Sequence, residues 1–236
     1  MRNLVQQMKL SVVIPVYNER QTIGKILDAV AASPVREKEI IVVDDFSQDG
    51  TRELLPGLAG KYSKLILHEK NQGKGAAIRT GLKACAGDVV IIQDADLEYD
   101  PNDYVRLLEP IETGQADVVY GSRFLDKDGF TQAPYRLNRL ANRILTAFSN
   151  LLSGFRLTDM ETCYKMMRRD IVAKITLEEN RFGFEPEITA KLAKLNIRLL
   201  EIPISYHGRT HDEGKKIGWK DGWRTLYSIV KYNWFR

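Results

Sequence analysis

The stretch Val89-Val90-Ile91-Ile92-Gln93-Asp94-Ala95-Asp96-Leu97-Glu98 decides the reading of this chain. Its first residues are a short, continuous apolar run of β-branched side chains, the pattern of a strand buried on both faces inside a parallel sheet. The run ends in Asp-x-Asp, which puts two carboxylates at the edge of that sheet, and Glu98 adds a third oxygen two residues on. Ligands of open α/β sheets sit beyond the carboxyl ends of the strands. The residues that follow each apolar run therefore carry the functional argument.

Working outward, strand-like and helix-like segments alternate. Residues 10–16 (LSVVIPV) read as a strand and residues 22–32 as a helix, with Ile23, Ile26, Leu27 and Val30 on one face. Strands follow at 39–43, 64–67, 89–93 and 116–120, with helices at 51–58, 75–86 and 101–111, the last opening on proline. The second half reads as a polar loop at 125–134, a helix at 137–152, a strand at 162–167, a helix near 187–195, a strand at 198–206 and a charged loop at 208–218. Without repeat or linker, the reading is a single α/β domain over residues 1–236. Its mostly parallel, Rossmann-like central sheet is flanked by helices.

The other strand ends are as polar as the first. After residues 10–16 comes Tyr17-Asn18-Glu19, and after 39–43 comes Asp44-Asp45-Phe46-Ser47-Gln48-Asp49-Gly50-Thr51. Asp49 or Ser47 can cap the helix that follows. Capping leaves Asp44, Asp45 and Glu19 over, and ribose hydroxyls or a base edge are natural partners for them. Asn71-Gln72-Gly73-Lys74-Gly75 enters a helix with two glycines that permit close approach of a phosphate or base, and with one added positive charge. It is neither a dinucleotide fingerprint nor a P-loop, lacking the third glycine and the GK[ST] ending. The hard oxygens of Asp94, Asp96 and Glu98 suit Mg²⁺ or Mn²⁺ completed by water and a diphosphate.

Charge divides the chain. Residues 1–120 hold 14 Lys/Arg against 18 Asp/Glu, and residues 121–236 hold 21 against 13. A net of −4 followed by +8 fits a first half that handles a cation and a second that handles an anionic partner. Nothing points to nucleic acid as a partner. Cys85 and Cys163 show neither disulfide nor zinc spacing, which fits a reducing cytosol. The first ten residues lack a secretory signal pattern, and no run reaches the roughly 18 apolar residues that span a bilayer. These features read as a protein that is soluble or bound at a membrane surface; a cytoplasmic location, peripheral at the inner face of a membrane, is expected only on the family resemblance given below.

In the basic half, Arg123 closes the strand at 116–120, and Arg209, His211, Lys215 and Lys216 crowd the late loop. Arginine suits bidentate binding of phosphate. Arg143 reads as solvated surface charge, His68 as structural, and Glu185 and Glu187 as ordinary acids at a helix start. Trp219, Trp223, Leu226, Tyr227, Val230 and Trp234 recur at helical spacing with Lys220, Arg224 and Lys231 beside them. Such a stripe either lies along a bilayer surface or packs on the protein's own core.

PVYNE, VVDDFSQDGT, NQGKGAA, DADLEYDP and YGSRF occur here in the order and spacing of family 2 glycosyltransferases, whose fold is called glycosyltransferase A. Downstream, TDMETCYKMMRRD, RFGFEPEITAKLA and EIPISYHGRTHDEGKKIGWKDG resemble the branch containing dolichyl-phosphate mannose synthase and polyprenyl-phosphate glycosyltransferases. The resemblance covers nearly the whole chain. It implies inverting transfer of a hexose from GDP-mannose or UDP-glucose to a polyprenyl or dolichyl phosphate. It implies Pro15, Tyr17, Glu19, Asp45 and Lys74 near the nucleotide, with Asp94, Asp96 and Glu98 around metal and diphosphate. Asp159 falls near the reacting centre, as base or as orienting group, and the motif context favours phosphate contact by Arg123 and Arg209. Many relatives carry glutamine where Glu98 stands. The alternatives are transfer to a glycan or protein hydroxyl, a scaffold that keeps the fold without catalysis, and a sugar-phosphate nucleotidyltransferase. The last would carry a glycine-rich basic loop after the first strand, where this chain has PVYNE.

Overall fold

Strand β1 (Leu10–Val16) is buried at every residue, which its unbroken apolar sequence requires. In a computed structural model of the protein, which describes residues 8–125, 136–208 and 219–235, it lies near the middle of a seven-stranded sheet ordered β3-β2-β1-β4-β6-β5-β7. The chain runs β1, α1 (Ile23–Ala32), β2 (Lys38–Asp44), α2 (Thr51–Leu54), β3 (Lys64–Leu67), α3 (Lys74–Ala84), β4 (Val89–Ile92), α4 (Tyr104–Glu112) and β5 (Val118–Ser122). Then come α5 (Arg136–Ser153), β6 (Lys165–Arg168), α6 (Arg169–Val172), α7 (Phe184–Ala193), β7 (Leu199–Pro203), α8 (Trp219–Val230) and a π-helical turn, Lys231–Phe235.

Every strand expected from the apolar runs is present, within a few residues. The helix expected at 51–58 is one α-turn continued as 3₁₀ over Leu55–Lys61, because Pro56 has no N–H to extend an α-helix. Pro110, inside α4, sits in its last turn, where the chain is about to leave the helix.

β1 pairs in parallel with β2 and β4, β2 with β3, and β5 with β7. β6 alone runs antiparallel, inserted between β4 and β5. β1, β4 and β5 are buried throughout, whereas the edge strands β3 and β7 are only half-buried, so the core lies on both faces of the central strands. The sheet is thus mostly parallel with one reversed strand, and that reversal shapes the site.

Candidate active site

The carboxyl ends of β1, β2, β3, β4, β5 and β7 share one edge. Because β6 is reversed, its amino end meets them there, and the segment leading into it, residues 159–164, is delivered to the same edge. The Tyr120–Lys165 register and the Gly121 N–H bonded to the Tyr164 carbonyl at 2.8 Å fix that placement.

At this edge the ends of β1 and β2 are stitched together. The Asn18 N–H donates to Ser47 Oγ at 2.9 Å and the Gln48 N–H to Asn18 Oδ1 at 2.8 Å. Glu19 is buried, its N–H bonded to Thr51 Oγ1 and its carboxylate accepting from Thr22 Oγ1 at 2.8 Å. Pro15 lies in β1 and Tyr17 is 37% exposed just beyond it. Asp49 Oδ1 accepts the Thr51 N–H at the start of α2, the expected capping role, and Asp44 is paired with Arg52 at 2.7 Å.

Asp45 is committed to its own chain. Its Oδ1 pairs with His68 Nδ1 at 2.7 Å and accepts the Gln72 N–H at 2.9 Å, and its Oδ2 accepts the Gly73 N–H at 2.7 Å. It therefore builds the 71–73 turn, and His68 is structural, as expected. Gly73 has φ +97°, and a Cβ there would collide with the Asn180 carbonyl; one at Gly75 would sit 2.5 Å from the Glu179 carbonyl. These glycines thus serve close approach to the backbone at 179–180, a partner the sequence did not reveal.

Lys74 Nζ stands 2.9 Å from Asp94 Oδ1 and 3.4 Å from Glu185 Oε1. Burial works against its charge, yet the Asp94 and Glu185 carboxylates and the other negative groups around it together outweigh that and hold the ammonium's pKa well above the ordinary lysine value. Asp96 Oδ1 accepts the Glu98 N–H at 3.2 Å across a bend in which Leu97 has φ +65°. Glu98 Oε2 accepts the Tyr206 hydroxyl at 2.7 Å. Among the described residues no three His, Cys, Asp or Glu side chains form a ready-made metal cluster. Asp94, Asp96 and Glu98 were expected to surround the cation together with water and a diphosphate, not to enclose it by themselves. The donor set nevertheless fits a hard cation such as Mg²⁺, which is commonly held by one or two carboxylates with water and substrate phosphate filling the rest.

Arg123, just past β5, forms a fork on Asp159: Nε to Oδ2 at 2.7 Å and a terminal nitrogen to Oδ1 at 2.8 Å, with its backbone N–H also on Oδ2. Asp159 is fully buried. Its own amide and that of Thr158 are anchored on the Glu201 carboxylate of β7. The Arg123 guanidinium lies 5.1 Å above the Tyr206 ring, so Tyr206 links this pair to Glu98. Arg209, His211, Lys215 and Lys216 lie outside the described residues. Arg143 is exposed, as expected.

Three charged residues were missed. Glu185, read as an ordinary acid at a helix start, is buried in α7 and pairs with Lys74. Lys165 is fully buried, its ammonium held by the carbonyls of Met160 and Thr162 and lying 4.6 Å from the centre of the Tyr120 ring. Glu161 precedes β6, and burial, then repulsion from Glu185, pushes its carboxyl pKa up to about 8. Only the reversal of β6 brings Glu161 and Lys165 to this edge, and no local pattern announces it. Glu187, by contrast, accepts the N–H groups of Glu178 and Glu179 and is structural.

The sheet order, the acidic end of β4 and the reversed strand define a glycosyltransferase A fold. Against solved structures, the chain aligns with glucosyl-3-phosphoglycerate synthase of Mycobacterium tuberculosis in complex with phosphoglyceric acid at a TM-score of 0.71 and 20% identity, over 95% of this chain and 80% of that one. The same enzyme with Mn²⁺, UDP-glucose and glycerol 3-phosphate aligns at 0.69. Residues 11–176 match the sequence model of "Glycosyl transferase family 2", and the chain belongs to that family. It is 29% identical over 228 residues to a dolichol-phosphate mannosyltransferase of Pyrococcus furiosus, covering 95% of this chain and 62% of that protein. It is 31% identical over 224 residues to an undecaprenyl-phosphate mannosyltransferase of Micrococcus luteus, covering 89% and 88%. A dodecaprenyl-phosphate galacturonate synthase of Rhizobium johnstonii is 28% identical, and the chain again spans 62% of its length.

Proposed function

We propose that this chain is a Mg²⁺- or Mn²⁺-dependent hexosyltransferase that moves a sugar from a nucleotide-sugar donor to a polyprenyl phosphate at a membrane surface. The observation that carries the reading is the pairing across one sheet edge: Asp94, Asp96 and Lys74 on one side, the Arg123–Asp159 fork on the other. When bound, the cation would neutralise charge on the departing nucleoside diphosphate. Asp94 and Asp96 are the carboxylates for it, with Glu98 beside them, and the Lys74 ammonium, paired with Asp94, adds countercharge. Arg123 is held in one orientation by Asp159 and offers its remaining N–H groups to the acceptor phosphate. A phosphate monoester has its second pKa near ~6, so its oxygen is largely ionised at neutral pH and needs no strong base. Asp159, engaged at both oxygens, then serves as the orienting partner of Arg123, and alignment with leaving-group stabilisation does the work. Several of the relatives named above are polyprenyl-phosphate enzymes, which supports this acceptor over a glycan or protein hydroxyl.

The test is direct. The protein incubated with Mg²⁺ or Mn²⁺, a polyprenyl phosphate and a panel of nucleotide sugars should yield a glycolipid by mass spectrometry. Product formed only on a free glycan or a protein would reassign the acceptor.

The membrane part of the proposal rests on exposed apolar side chains. On α8 and the turn after it, Thr225, Ser228, Ile229 and Tyr232 face the core, while Trp223, Tyr227 and Trp234 are 67%, 56% and 67% exposed. Helix α5, which packs against α8, exposes Leu140, Ile144 and Leu151 along one stripe. Arg143 and Arg224 are exposed beside these residues. Exposed Trp and Leu flanked by arginine suit a helix lying in the interface. No helix among the described residues is long and apolar enough to cross a membrane. The protein should therefore sediment with liposomes, more with anionic lipid and less at high salt, since surface charge is screened over ~8 Å at physiological ionic strength. Replacing Trp223 and Trp234 together by serine should release it while the melting temperature barely moves. A large stability loss with unchanged sedimentation would place these side chains in the core.

A further inference from the structure

Glu161 has no part in the reaction sketched above, yet it lies within electrostatic reach of both of its halves. The Lys74–Glu185 pair stands towards the donor and the Arg123–Asp159 fork towards the acceptor, and the charges of Glu185, Lys165, Arg123 and Asp159 all act on Glu161. Its Oε1 is buried without a hydrogen-bond partner, whereas Asp159, Glu185 and Glu187 all have theirs. A polar atom in that condition destabilises the fold unless something met in function satisfies it. Lys165 does not supply the contact, because its ammonium is turned onto the carbonyls of Met160 and Thr162.

What lies between a leaving diphosphate and an incoming phosphate is the transferred sugar, whose surface is hydroxyl groups. We infer that the Glu161 carboxyl binds a hydroxyl of the transferred sugar and so helps determine which nucleotide sugar the chain accepts. The inference rests on the transferase reading. Its protonation suits the position. With a pKa of about 8, the group is mostly neutral at pH 7, and a neutral carboxyl offers one O–H donor and an acceptor to a hydroxyl without repelling the two anionic substrates.

The experiment compares Glu161→Leu and Glu161→Gln with the unaltered protein on an intact nucleotide sugar and on its monodeoxy analogues. For the unaltered enzyme, one deoxy donor should be used at least ~10²-fold less efficiently, because a site built for a hydroxyl rejects its absence strongly. Glu161→Leu should use the intact donor ~10²-fold less well and lose nothing further with that deoxy donor. Glu161→Gln, which keeps a neutral donor and acceptor, should retain most of the discrimination. A uniform loss across all donors in Glu161→Leu, or no loss, overturns the assignment. A residue that only holds the fold would give the uniform result. Should the leucine variant fail to fold, Glu161→Asp, which withdraws the carboxyl by one methylene, must weaken discrimination where Glu161→Gln keeps it; equal behaviour of the two overturns the inference.

Calorimetry separates this inference from the reading beneath it. The unaltered chain should bind the nucleotide sugar more tightly than the free nucleoside diphosphate, and loss of Glu161 should close that gap. Absence of transfer by the unaltered chain alongside such a gap counts against the acceptor proposal and leaves Glu161 standing. No gap in either protein removes Glu161.

Discussion

Replacing Asp96 by alanine should lower transfer by at least about 10²–10³-fold, the cost of losing a group aimed at charge that develops in the transition state. The residual rate should not respond to added Mg²⁺ or Mn²⁺. Asp96 is the second carboxylate of the Asp-x-Asp turn that ends β4, at the sheet edge where the diphosphate would lie. Asp94, its companion, is bound to Lys74 at 2.9 Å. Asp94→Ala should likewise weaken cation binding, measured by Mn²⁺ electron spin resonance in the presence of nucleoside diphosphate, and it also leaves Lys74 facing Glu185 alone. Asp96→Asn, similar in shape but uncharged, should resemble Asp96→Ala in activity and the unaltered protein in stability. Full activity of Asp96→Ala in EDTA would remove the metal from the proposal.

The second large effect is expected at Arg123. Arg123→Ala strands the Asp159 carboxylate, fully buried, without its countercharge. Breaking a buried pair from one side typically costs about 3–5 kcal/mol, so unfolding in urea should move to clearly lower concentration. Arg123→Lys keeps the charge and should recover part of that stability, but it loses the fork and should stay deficient in transfer. Both variants should bind nucleoside diphosphate with metal nearly as the unaltered protein does. Asp45→Ala should fail there, because the Gln72 and Gly73 N–H groups lose the carboxylate that shapes their turn. Equal loss of nucleotide binding in the Arg123 and Asp45 variants would refute the division into donor and acceptor halves.

How much of this was legible in the sequence follows from how local each signal is. The apolar runs gave all seven strands, and the polar residues after them gave the acidic edge, because both are written within a few consecutive residues. Strand direction is not. Residues 162–167 read equally well as a strand running either way, and only the tertiary pairing of Lys165 with Tyr120 reverses it. Glu161 and Lys165 were invisible for that reason. Glu185 looked like a residue favoured by a helix start, and its role depends on Lys74, 111 positions away. Asp45 shows a different limit. Its place at the edge was read correctly, but acidity alone does not distinguish a carboxylate that meets a ligand from one that satisfies its own backbone. The outward face of α8 was undecided in sequence because a Trp stripe has the same periodicity in water, lipid or core. Ile229 and Tyr232 provide the buried face instead.

The segment around Glu179 ties distant parts of the molecule together. Its backbone carbonyls at 179 and 180 accept from Arg79 and Ala76 at the Gly-Lys-Gly turn. The Glu179 carboxylate accepts from Arg224 at 2.6 Å and from the Tyr232 hydroxyl at 3.0 Å, at the far end of the chain. Folding units in proteins open cooperatively when they share such contacts. The Gly-Lys-Gly turn and α8 are thus fastened to one segment, and hydrogen exchange is expected to show the two opening together.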